Sequence, residues 1–121
     1  MTNYLPASQR VFQNAFAYAR ATSLQVADAT SPADTADGGS FFLSEDGQSG
    51  FRVNEGELTH VFSLPRGRGS DLVPAAVLAG AKYLDCFDGY LPQLYSRFGF
   101  KETKRDANWT AGAPDIVYMA I

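Results

Sequence analysis

The chain has 121 residues, 45% of them hydrophobic and 19% charged, a composition that suits one globular domain burying about two-thirds of its unfolded surface. Ten basic against thirteen acidic residues leave a net charge of −3, which argues against nucleic-acid binding through neutralised phosphates. No run reaches the length of a membrane span, and Met1 to Arg10 lack the apolar stretch of a signal peptide, so a cytoplasmic protein off the membrane is expected.

Ser8 to Arg20 reads as an amphipathic helix, with Ser8 as N-cap and Val11, Phe12, Ala15, Phe16 and Ala19 in one stripe. Met1 to Leu5 is too short to read as a strand, and Ala27 to Ser40, small and polar, reads as a loop. Ser40–Leu43, Gly50–Val53 and Glu57–Leu64 form an antiparallel meander, turned at Asp46-Gly47 and at Asn54-Glu55-Gly56. Ser70 to Lys82 is a helix with Pro74 in its first turn, and Tyr83–Phe87 an apolar strand of the kind buried on both faces. Cys86, the one cysteine, can form no internal disulfide or thiolate metal cluster and reads as a small core residue. Asp88 opens a helix to Phe98, stopped by Gly99, and Phe100–Lys104 and Asp115–Ala120 are the last strands, joined by Asp106–Pro114. The expected fold is one α+β domain over 1–121: a helix and loop over 1–39, then a mixed-sheet core with two helices over 40–121, containing a right-handed parallel strand–helix–strand unit.

Two segments carry chemistry. Val61-Phe62-Ser63-Leu64-Pro65-Arg66-Gly67-Arg68-Gly69 runs from a strand into a basic, glycine-rich turn that opens a helix. Glycines let backbone approach phosphates, and the helix offers unpaired N–H groups at a positive dipole end. An ordinary turn is the plain alternative, and a nucleotide P-loop is excluded because no Gly-Lys-Ser/Thr follows. In Leu94-Tyr95-Ser96-Arg97-Phe98-Gly99-Phe100 a phenol stands one turn before a helix stop.

In register, the two segments resemble the acetyl-CoA motifs of the GNAT N-acetyltransferase superfamily, and Leu84 to Pro92 further resembles compact GNAT-like proteins of phages and mobile elements. The resemblance implies a GNAT-like fold using acetyl-CoA as cosubstrate. It implies backbone pairing of the pantetheine arm around Phe62 and Leu64, the Phe62 amide on the thioester carbonyl, and a pyrophosphate cradle at Arg66, Gly67, Arg68, Gly69 and Ser70. It also implies Tyr95 as general acid toward the leaving thiolate, against the plain reading of a core aromatic. Asp71 stands where the family prefers Gly or Ala, and reads as a helix N-cap. Asp88, in place of a family asparagine that touches the coenzyme, reads likewise. His60 is the candidate base, with Glu57 and Asp85 as alternatives, and a structural strand histidine is the plain reading. Trp109 lines the acceptor pocket, plugs the core or makes a dimer contact. Against the family's first strand and two helices, the N-terminal region reads as abbreviated. Two functions fit: transfer of acetyl to an amine, which a protein could carry, or a non-catalytic interaction protein on the same fold.

Overall fold

Ser8 takes an extended backbone, and its hydroxyl accepts from the Val11 N–H at 3.2 Å, so helix α1 (Gln9–Thr22) begins where the sequence places its cap. The computed structural model describes residues 1–30 and 38–121. In it a second helix, α2 (Leu24–Ala29), follows α1 at once, capped by the Ser23 hydroxyl on the Val26 N–H. The loop expected from Ala27 therefore starts later, and residues 31–37 of it lie outside the described residues.

Ahead of α1, strand β1 (Tyr4–Ala7) pairs antiparallel with β2 (Ser40–Ser44), from Tyr4↔Ser44 to Ala7↔Phe41. A strand and two helices thus precede the meander, and what is abbreviated is their length: four residues in β1 and six in α2. β2, β3 (Ser49–Asn54) and β4 (Glu57–Ser63) are the expected meander. Glu55 and Gly56, both at positive φ (50° and 86°), make the tight turn whose twist suits a hairpin.

Helix α3 (Gly69–Leu78) then crosses to β5 (Tyr83–Phe87), parallel to β4; α4 (Tyr90–Ser96), β6 (Lys101–Asp106) and β7 (Ile116–Ala120) complete the sheet in the order β1-β2-β3-β4-β5-β7-β6. Four expectations are corrected. α3 stops at Leu78 because Gly80 turns the chain at φ 103°, and Pro74 sits at its sixth residue, past the first turn. α4 begins at Tyr90, after Gly89 at φ 132°. Finally, β5 is buried on one face only: Leu84 is 3% exposed while Tyr83 and Asp85 are open to solvent.

The two faces of the sheet are covered unequally. α3 and α4 close one face over Phe51, Leu58, Leu84, Phe100 and Val117, with Val73 of α3 in the same core. On the other face Phe12 and Phe16 of α1 pack on Phe41 and Phe62, over β2 and β4. Beyond β4 that face carries Tyr83 and Asp85 of β5, with Tyr118 of β7 opposite Asp85. Among the described residues no helix is long and apolar enough to cross a membrane.

Candidate active site

Strands β4 and β5 are paired at one register position among the described residues, Glu57↔Tyr83, where both begin. A bulge in β4 accounts for the divergence beyond it. Gly50 pairs with Phe62 and Arg52 with Thr59, so His60 and Val61 together oppose Phe51, with His60 at φ 54°. An extra residue bends and twists its strand. The Leu64 N–H donates to Gln48 O at 2.8 Å, so by antiparallel alternation Leu64 and Phe62 turn their backbone groups toward β3 and Ser63 turns its own toward the opening. Ser63 thereby replaces Phe62 and Leu64 as the backbone that faces the gap, a substitution that only the register reveals. The Phe62 ring is buried beneath α1.

At the end of β4 the Ser63 hydroxyl donates to Pro65 O at 2.6 Å, and the chain turns through Gly67 at φ 81°, with no atom within 4 Å of where its Cβ would stand. α3 starts at Gly69 without a side-chain cap. Its first backbone bonds run from the Asp71 and Leu72 N–H groups to Arg68 O (3.0 and 2.9 Å), leaving those of Gly67 to Ser70 without a partner among the described residues. Such an end carries partial positive charge and binds anions.

The individual residues of the turn differ from expectation. A Cβ on Gly69 would stand 2.6 Å from Leu94 Cδ2, so this glycine lets α3 pack on α4. Arg68 is turned away: Nη1 and Nη2 bind Asp46 Oδ1 and Oδ2 at 3.0 and 2.6 Å, and Nη1 donates to Ser49 Oγ at 3.0 Å. Arg66 and Ser70 are exposed, and Arg66 has no ion pair among the described residues. Asp71 lies inside α3 rather than capping it, and its Oδ2 accepts from the Thr2 N–H at 2.9 Å.

Tyr95, in the last turn of α4, is 4% exposed and meets Phe100 edge-on at 5.8 Å. Burial, with Cys86 nearby as the lesser cause, pushes its phenol well above the usual range, so it stays protonated. The Cys86 thiol is itself pushed up to about 12, chiefly by burial and then by Asp85 and Asp88, which suits the inert role expected of it.

His60 lies on the α1 face, its ring 5.1 Å from that of Phe16 and 6.3 Å from that of Phe12, with Nδ1 2.9 Å from Thr59 Oγ1. Arg52 Nη1 donates to the same hydroxyl at 3.2 Å. Asp85 is exposed on β5. Glu57 occupies the closed end of the strand pair, ~20 Å along β4 from Ser63 at ~3.3 Å per residue. Asp88 does not cap α4 through its side chain: Oδ1 accepts from the Gly89 N–H at 3.0 Å and Oδ2 from Arg105 Nη1 at 2.7 Å, and that arginine holds its carboxyl below the usual range. Trp109 is 82% exposed, which removes the core-plug reading.

No protein-family description and no curated protein matches the sequence. Among solved structures the chain is similar to one described as "Crystal structure of a putative phosphinothricin N-acetyltransferase", at 15% identity and TM-score 0.60, over 98% of this chain and 96% of that one. A likeness at that identity speaks for the fold. The described residues form a seven-stranded mixed sheet with four helices, opened between β4 and β5, and share the GNAT-like fold of that structure.

Proposed function

We propose that the chain is a cytoplasmic acetyl-CoA-dependent N-acetyltransferase. The observation that carries this reading is the opening between β4 and β5, which leads to an uncapped helix N-terminus. The extended amides of pantetheine suit the Ser63 backbone as a further strand would, and the pyrophosphate suits the free N–H groups of Gly67, Arg68, Gly69 and Ser70, with Arg66 adding charge. Gly67, with open space above its Cα, admits a phosphate without moving a side chain.

In this reading the neutral amine attacks the thioester carbonyl, a C–N bond forms, and the tetrahedral intermediate collapses with loss of the C–S bond. The departing thiolate takes a proton from the Tyr95 phenol, and the new amide loses one to a base, for which His60 is assigned and Asp85 is the alternative. Asp85 stands on the face that α1 leaves uncovered beyond β4, open to an amine carried on a large acceptor such as a protein, whereas His60 lies beneath α1 against Phe16. Free thiol released from acetyl-CoA on addition of lysine-bearing peptides or polyamines tests the reading; no release from any amine, together with tight acetyl-CoA binding, contradicts it.

That outcome would select a second reading, a non-catalytic interaction protein on this fold, phage-encoded by the likeness of Leu84 to Pro92. The near-complete burial of Tyr95 against Phe100 favours it, since a core aromatic needs no reaction to explain it.

A further inference from the structure

The turn proposed to hold the coenzyme phosphates is fastened to the β2–β3 hairpin by a network that none of its sequence motifs announces. Asp46 lies in that hairpin, and its Oδ1 accepts from the Ser44 hydroxyl at 2.7 Å, the Gln48 N–H at 3.1 Å and Arg68 Nη1 at 3.0 Å. Oδ2 takes Arg68 Nη2 at 2.6 Å, so the guanidinium is gripped at two points. The same Nη1 donates to the hydroxyl of Ser49, which is 0% exposed and lies 3.0 Å from the Tyr4 hydroxyl. Ser44, also buried, accepts the Ser49 N–H at 3.1 Å. A buried hydroxyl needs its partners, so the guanidinium can leave only at a cost to the sheet beneath it.

Arg68 is also the residue immediately before α3, between Gly67, whose φ of 81° makes the turn pliable, and the uncapped first helical residues. Fixing its side chain fixes the direction of the backbone N–H groups on either side. We propose that Asp46 is a positioning residue for coenzyme binding, acting through Arg68 to hold the phosphate turn in its binding geometry. The arginine's guanidinium itself touches no phosphate. This inference rests on the acetyl-CoA reading above.

Calorimetric titration with two probes separates the possibilities: acetyl-CoA, and S-acetyl-pantetheine, which lacks the pyrophosphate and nucleotide. Residues that orient a binding group typically cost ~10–100-fold in affinity when lost, as measured for residues that orient metal ligands. Asp46→Asn keeps the shape of the side chain and removes its charge. It is expected to weaken acetyl-CoA by about tenfold while leaving S-acetyl-pantetheine unchanged. Arg68→Gln should lose as much, and the double variant no more than either, because both act through one contact. Arg68→Lys, which keeps the charge but lacks the two-pronged fork, should lose an intermediate amount; it also serves as the reporter if Asp46→Asn does not fold. Equal losses for both probes, additive losses in the double variant, or unchanged or tighter acetyl-CoA binding once Arg68 is released would overturn the proposal. A wild-type chain that binds no acetyl-CoA would overturn the parent reading and this inference with it, an outcome distinct from wild-type binding that Asp46→Asn leaves intact.

Discussion

Gly67 and Gly69 stand two residues apart and are glycine for different reasons. At Gly67 the requirement is conformational: φ is 81° and the space above is empty, so Gly67→Ala should cost about 1–2 kcal/mol of left-handed strain. Gly69 is constrained by packing, because a methyl there would press Leu94 from 2.6 Å; Gly69→Ala should cost about 1–3 kcal/mol as α3 is pushed off α4. Urea denaturation of both variants checks this, and a neutral Gly69→Ala would contradict the packing role. Tyr95 tests mechanism at the same scale. Tyr95→Phe keeps the ring against Phe100, so stability and acetyl-CoA affinity should hold while turnover on an accepted amine falls by ~10²–10⁴-fold. Unchanged turnover would refute the assigned acid; a large loss of stability would favour the core-aromatic reading.

Among elements, β1 and α3 are coupled through a bond that neither would show alone. Asp71 Oδ2 holds the Thr2 N–H just ahead of β1, and its charge sits in the first turn of α3. Asp71→Ala should loosen this end of the edge strand by about 1 kcal/mol, read as faster amide exchange at Tyr4 to Ala7, and should tighten acetyl-CoA by removing a carboxylate from the anion-binding end. Slower exchange, or weaker coenzyme binding, would show the contact to be misread. The elements legible in the sequence were those with local signals: α1 from the Ser8 cap and its apolar stripe, the meander from Asp46-Gly47 and Glu55-Gly56, and the chain reversal after α4 from Gly99, which takes φ 97°, although the helix itself ends at Ser96 rather than Phe98. β1 was hidden because its four residues, one of them Pro6, acquire their meaning from β2 across the sheet. α2 follows a usable cap at Ser23, but six residues are too few for a period to show. The site was legible in outline, as strand, turn and helix. What could not be read were long-range choices: that Arg68 would turn to Asp46, twenty-two residues back, and that the bulge at His60 would present Ser63 to the opening.

Among the described residues the sheet has one gap, between β4 and β5, and the Asp46–Arg68 ion pair fastens the turn that follows β4. Asp46 shows how this depends on pH. Hydrogen bonding from Arg68, then from Ser44 and the Gln48 N–H, holds its carboxyl well below the ordinary 3.8. A depressed folded value means the ion pair stabilises the fold above 3.8, and that this contribution fades as pH falls further. The gap in melting temperature between wild type and Asp46→Asn should therefore be constant near neutrality and shrink on acidification below about 3.8; a gap independent of pH would contradict the assignment. The central claim, however, is that the β4–β5 opening and the α3 N-terminus together bind an acyl-CoA, and thermal denaturation of the wild-type chain with added acetyl-CoA tests it most directly. At a hundred times its dissociation constant the ligand should add ~2.7 kcal/mol of stability by mass action, with CoA acting similarly and S-acetyl-pantetheine more weakly. No shift at millimolar acetyl-CoA, or an equal shift with S-acetyl-pantetheine, would contradict the account.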